Sequence, residues 1–352
     1  MSSTMTFKCP SCGGYLEFDP SQQKFKCLYC GQLLSEAELR EQSEAREAAA
    51  EEAQAEQPAS GSQHLRTYHC QMCGAEIVTD DTTAATRCYF CHSPVVLHDR
   101  LDDEFRPDGV IPFKLDKETA EKQFLDYVSK KKFVDRDFFN GAQLEMFSGV
   151  YYPWWYTDID GEAEFEGEGN RISMTTTHTH IITTTRVFRV NRTGRLSFRN
   201  IARKALMKAD GKLSDGIHPY DVGDVVPYAS GFLSGFLAEK RDIPVETIKD
   251  EAVREVSDYA KGMMARNHTF NSLSGTTRFA AKDVKSRYIL LPAWVLTYKG
   301  GKDGAPYYYM MNGQTGKVCG KLPIDKKRLL ATVLGVGLAV FLVLCGGGAF
   351  VW

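Results

Sequence analysis

Eight of the ten cysteines lie within the first 91 residues, in two quartets of one pattern. The first reads Cys9-Pro-Ser-Cys12, then fourteen residues, then Cys27-Leu-Tyr-Cys30. The second reads Cys70-Gln-Met-Cys73, again fourteen residues, then Cys88-Tyr-Phe-Cys91. A CxxC turn aims two thiolates at one ion, and fourteen residues suffice for a hairpin that returns a second pair to close a tetrahedron. Soft thiolates in a closed shell favour zinc, with iron as the competitor. Cys9, Cys12, Cys27, Cys30, Cys70, Cys73, Cys88 and Cys91 are therefore read as ligands of two structural ions per chain. With four protein ligands at each ion, no position remains for a catalytic water. The alternative is redox or disulfide CxxC pairs. The stretch from Met1 to Pro10 holds no apolar core of signal-peptide length, which points to a reducing compartment and so to metal.

Such ions need a fold built around them. Units below about 40 residues rarely hold together by burial alone. A structural zinc contributes on the order of 10–16 kcal/mol of apparent binding energy to folding. The expected organisation is zinc ribbon 1 at 1–34, an acidic Ala/Glu helical spacer at 35–63, zinc ribbon 2 at 64–100 and an α+β region at 101–325. Ser35 and Glu38 have capping-box spacing at the start of the spacer, which reads as a solvated rod holding the ribbons apart. Phe25, Tyr29, Tyr68, Tyr89 and Phe90 are expected in the ribbon mini-cores rather than as base-stacking platforms.

The central region mixes two periods. Lys117 to Lys131 reads as an amphipathic helix with Ala120, Phe124, Leu125 and Val128 on its inner face, and 245–264 as a second helix. Strand-like stretches run over 149–158, 163–168, 172–190, 269–281, 288–298, 306–311 and 317–320. Each helix leads to an aromatic strand with a proline inside it, at Pro153 and Pro292, which suggests a duplicated α+β unit. A strand proline also suggests an edge or a bulge. No GxxxxGK[ST], HExxH or GxSxG occurs, so a P-loop ATPase, a zincin and a nucleophile-elbow hydrolase are disfavoured. His178 and His180 would share one strand face, but no third ligand is near, so a solvated face is expected. Trp154, Trp155 and Trp294 are expected to pack a core or a protein-binding groove.

The chain ends with 24 residues, Leu329 to Trp352, that carry no charge. At about 1.5 Å per residue they would reach about 36 Å, against a hydrocarbon core of about 30 Å. Lys326, Lys327 and Arg328 precede them, so the expectation is one transmembrane helix at 329–352 in the cytoplasmic membrane, single-pass, with the N-terminal bulk in the cytoplasm. A row of small residues, Ala331, Gly335 and Ala339, allows a homo-oligomer.

The whole chain has 352 residues with 43 Lys+Arg against 45 Asp+Glu, a formal charge of −2, and its mean hydropathy is −0.31. That balance lacks the basic stripe of a nucleic-acid binder. The two CxxC units, Val110-Ile111-Pro112-Phe113-Lys114, Gly149-Val150-Tyr151-Tyr152-Pro153-Trp154-Trp155, Val226-Pro227-Tyr228, Gly235 to Lys240, Asn312-Gly313-Gln314-Thr315-Gly316-Lys317 and the terminal span together resemble a family of bacterial membrane-anchored double zinc-ribbon proteins. Members are often labelled primosomal-helicase-like. The resemblance implies a membrane-stress role beside phage-shock-protein-A-like and flotillin/SPFH or virion-core-like partners, with the bilayer contacted through 329–352. The expectation is a non-enzymatic scaffold or adaptor that recruits a protein partner to the membrane. The alternatives are a membrane-tethered nucleic-acid-binding regulator and an unrecognised enzyme in the central domain.

Overall fold

A computed structural model describes residues 4–5, 7–39, 65–70, 76–80, 82–88, 93–97, 101, 105–134, 147–207, 211–266, 268–298, 307–320, 322 and 324–348. The chain begins with β1 (Thr4–Met5) and a three-stranded unit, β2 (Leu16–Asp19), β3 (Lys24–Cys27) and β4 (Leu33–Leu34). A second unit follows: β5 (Leu65–His69) paired with β6 (Glu76–Asp80), and β7 (Thr83–Arg87) paired with β8 (Pro94–Leu97). The rest of the chain is built on three very long strands, β10 (Ser148–Thr176), β11 (Ile181–Lys204) and β14 (Ser272–Tyr298). β10 lies between the other two, antiparallel to both. Short strands complete the sheet: β9 (Gly109–Val110), β12 (Val226–Pro227), β13 (Leu237–Glu239), β15 (Tyr307–Asn312) and β16 (Val318–Gly320). Among the described residues, one sheet joins eleven strands.

This corrects the expected α+β body. The molecule is mostly β, and the strand stretches read separately at 149–158, 163–168 and 172–190 fuse into one hairpin of 29-residue and 24-residue strands. Gly161 and Gly169, in the gaps between those stretches, are positions where rings lie across the strand. A Cβ on Gly161 would stand 2.4 Å from Phe279 Cζ, and one on Gly169 would stand 2.6 Å from Phe270 Cγ. Glycine inside a strand marks such close approach as well as a turn. Pro153 and Pro292 sit within central strands rather than at an edge. Pro153 falls where β10 exchanges β13 (through Tyr151) for β11 (from Trp154), and Pro292 where β14 exchanges β9 (through Leu290) for β15 (from Ala293). At such a seam a missing N–H interrupts no ladder.

Side-chain alternation puts different residues on the two faces. Tyr151, Trp155, Tyr288, Leu290 and Trp294 join the larger core, which also takes in α1 (Lys117–Ser129) through Ala120, Phe124 and Val128. The Asp116 carboxylate caps α1 by accepting from Thr119 N at 2.7 Å. Trp154, Tyr156, Ile289 and Leu291 pack on the other face with α2 (Gly211–Gly216) and the segment after it. Further along the sheet, α3 (Val245–Met264) buries Ile248, Ala252, Val256 and Ala260, spaced by four, and packs on Ile159. The Arg192 guanidinium caps its far end, donating to the carbonyls of Met264 and Arg266 at 2.7 Å each.

The last helix, α4 (Lys326–Gly348), does not support the expected membrane span. Among the described residues no helix is long and apolar enough to cross a membrane. α4 begins on three cations, Lys326, Lys327 and Arg328. The single-pass assignment, the cytoplasmic-membrane location and the bilayer contact through 329–352 are withdrawn on that finding.

Candidate metal centre

The two CxxC knuckles of the first unit are built alike. Cys9 N donates to Gly14 O at 2.7 Å and Gly13 N to Cys9 O at 2.9 Å. Cys27 N donates to Gln32 O at 2.8 Å and Gly31 N to Cys27 O at 3.0 Å. Gly13 (φ 72°) and Gly31 (φ 75°) occupy the left-handed region that closes each turn. The strands β2 and β3 then pair Leu16 with Cys27 and bring the knuckles face to face. The four Sγ atoms lie within 4.8 Å of one another, with Cys9–Cys30 at 3.7 Å and Cys12–Cys27 at 3.5 Å. A tetrahedron with metal–sulfur bonds of about 2.3 Å has edges of about 3.8 Å, so the thiols already stand at ligand spacing. Cys9, Cys12, Cys27 and Cys30 could hold a metal ion.

Electrostatics points the same way. Burial opposes the Cys27 thiolate, but the N–H groups of Cys30 and Tyr29 and the thiols of Cys12 and Cys30 outweigh it and bring the group down to about 6. At Cys12 the Gly14 backbone favours the thiolate, yet the thiols of Cys30, Cys27 and Cys9 and desolvation together hold that group up to about 12. One sulfur ionises readily while its neighbour keeps a proton. A cation is what would let all four be thiolates at once.

The second unit repeats the first at an offset of 61 residues. The Lys8–Tyr15 bridge recurs as His69–Glu76, Phe25–Leu34 as Thr86–Val95, and Lys26–Leu33 as Arg87–Pro94. Cys27 N→Gln32 O recurs as Cys88 N→Ser93 O at 2.9 Å, and Cys9 Sγ→Gln32 Oε1 at 3.4 Å as the 3.4 Å contact of Cys70 Sγ with Ser93 Oγ. Cys70 and Cys88 are buried together with Tyr68, Ile77, Val95 and Leu97. Cys73 and Cys91 lie outside the described residues, as do Tyr89, Phe90 and nearly all of the 35–63 tract. The capping box at its start is present, with Ser35 N and Oγ both donating to Glu38 Oε2 at 2.7 Å.

The ribbons are not held apart. β1 crosses to the second unit and pairs with β8, and Arg87 of the second unit reaches Glu17 of the first at 2.9 Å. The first unit is also seated on the body. Phe18 and Phe25 meet Phe232 at ring-centroid distances of 5.3 and 5.5 Å, Ser234 Oγ donates to Leu16 O at 2.5 Å, and Gln23 Nε2 donates to Phe113 O at 2.7 Å. Phe25 and Tyr68 are core residues, as expected. Tyr29 is not: at the tip of the second knuckle it is 87% exposed, beside Leu28 at 57%.

The remaining motifs are structural. The Asn312 amide donates to Ile217 O while its oxygen accepts from Gln314 N and Thr315 N, and Lys114 pairs with Asp224 at 2.5 Å. Trp154, Trp155 and Trp294 are buried, the last two donating to Ile243 O and Leu115 O. His178 and His180 stand on the exposed turn between β10 and β11 rather than on a strand face. His218, which no sequence signal marks, is wedged between Trp154 and Tyr220 at ring distances of 4.1 and 5.1 Å. Desolvation, with the Lys317 charge nearby, lowers its pKa to about 4.

The chain is 29% identical over 344 residues to a protein of Bacillus subtilis (strain 168) described as uncharacterized protein YdjG. The match covers 97% of this chain and 96% of the relative. No protein-family model matches the chain, and no solved structure does.

Proposed function

We propose that this chain is a non-enzymatic adaptor whose two ribbons each carry one structural zinc and whose first ribbon presents a protein-docking knuckle. The exposed Leu28 and Tyr29 carry this reading. Among the described residues, every other large apolar side chain of the first ribbon except Leu33 is at least partly buried, while these two project from the turn that the metal would fix. Aromatic anchors on a rigid turn are the usual centre of a protein–protein contact. A closed thiolate shell supports zinc in a structural role, since it leaves no ligand position for chemistry. The 61-residue correspondence supports the second ion.

The partner class implied by the family resemblance, a phage-shock-protein-A-like or flotillin/SPFH or virion-core-like protein, is the first to try. The test uses the purified full chain with zinc counted per chain and binding to such a partner titrated. Two zinc ions are expected, and L28S/Y29A should weaken partner binding at least tenfold with the zinc content unchanged. Unaltered binding by that variant sinks the docking knuckle. Retention on DNA with steep salt dependence would instead favour the nucleic-acid reading.

A further inference from the structure

β14 stops pairing with β10 at the Asn170–Ser272 contact, so beyond it the arm is a two-stranded ribbon, 171–176 against 181–186. Two strands alone are marginally stable, and an edge rich in β-branched residues invites another strand. That edge is β11, whose tip reads Ile181-Ile182-Thr183-Thr184-Thr185-Arg186-Val187.

The ladder shows which backbone groups face outward. Thr177 N donates to His180 O across the turn, so the pairs Thr175–Ile182 and Ser173–Thr184 exchange the bonds within the hairpin. Ile181, Thr183, Thr185 and Val187 therefore aim their N–H and C=O away from β10. Ile172, opposite Thr185, conforms: its N–H turns to the other edge and donates to Asn271 Oδ1 at 2.7 Å. The side chains of these outward-bonding residues share a face with Ile172 and Met174. Met174, Ile181 and Val187 are 72%, 70% and 62% exposed.

We propose that Ile181–Val187 pairs antiparallel with the same segment of a second copy, about a two-fold axis at Thr184. In that register Thr183 meets Thr185 of the second copy and Ile181 meets Val187, twice over by symmetry. All outward N–H and C=O groups of the four residues acquire partners. The two Ile–Val pairs lie on the same sheet face as Ile172 and Met174 of each copy, at either end of the central threonines. Arg186 faces Ile182 of the second copy, and Arg189 falls beyond the paired segment, so no arginine of one copy opposes an arginine of the other; the Arg171–Arg186 pair lies within each hairpin. The side-chain pairing, Ile181 against Val187 and Thr183 against Thr185 with no like charges across the axis, favours a second copy over a foreign strand. The bodies lie at opposite ends of the joined ribbon, and the inference is independent of the metal centre.

The test is the association state of the full chain by sedimentation across a dilution series. A reversible dimer is expected. T185P removes an outward N–H that the hairpin does not use, and I181K/V187K charges the patch; each should weaken dimerisation at least tenfold with zinc content and circular dichroism unchanged. Thr184 and its symmetry mate form a non-hydrogen-bonded pair with Cα atoms about 4.5 Å apart, within disulfide reach. T184C should therefore give a 184–184 linked peptide on oxidation. A chain monomeric at every concentration, a dimer indifferent to T185P, or linkage at other positions overturns the proposal.

Discussion

At the scale of single residues, cysteine spacing carried its message because a ligand set must sit in a short, fixed frame. Cys9, Cys12, Cys27 and Cys30 converge as the spacing requires. Tyr29 was misplaced for a related reason: composition says that an aromatic belongs in a small core, but only the turn geometry decides which way it projects. His218 was invisible, since its burial depends on Trp154 and Tyr220 and on the rest of the sheet-face cluster around them. Its depressed pKa has a measurable consequence. Between about 4 in the folded state and about 6.5 in the unfolded state, the unfolded chain binds more protons, so stability rises with pH across that window and is lost as pH falls through it. The full span amounts to on the order of 3 kcal/mol. Denaturant titrations at stepped pH should show that slope, and His218→Gln should flatten it. An unchanged slope in the variant would assign it to other groups.

Among elements, the two amphipathic helices are legible and the long strands are not; the short helix 211–216 leaves no periodic signal. Helix 245–264 is legible to its observed bounds, because its apolar residues recur every four positions and Pro244 marks its start. The β10–β11 hairpin reads as pieces because its outer half alternates acids on one face, Glu162 to Glu168, with glycines on the other, Gly161, Gly167 and Gly169, so local composition imitates turns. The docking of the first ribbon left no sequence trace either, since Phe232 lies over 200 positions from Phe18. That contact is testable. Phe232→Ala should cost about 3–5 kcal/mol, the usual range for a buried ring. Amide exchange in β2 and β3 should accelerate while the four cysteines still bind their ion. A variant with native exchange rates in β2 and β3 would mean that Ser234 and Gln23 hold the ribbon unaided.

For the molecule as a whole, the expectation of beads on a spacer gives way to a four-cysteine ribbon that shares the main core. Phe18 and Phe25 belong to the same buried cluster as Tyr151 and Trp294. Removing the ion with a chelator should therefore lower the main thermal transition rather than melt a separate unit beneath an unchanged one. Calorimetry with and without chelator distinguishes the two, and a body transition that stays in place would mark the ribbon as independent. The three long strands carry a different consequence. β10 is one continuous strand from Tyr151 in the core to Thr176 beside the tip, about 80 Å at about 3.3 Å per residue. Its cross-strand bonds run perpendicular to that axis. A pull along the arm loads them together in shear, whereas a sideways pull opens them one after another. The arm is thus stiff to tension from its tip and weak to peeling, a mechanical anisotropy set by the direction of its ladder.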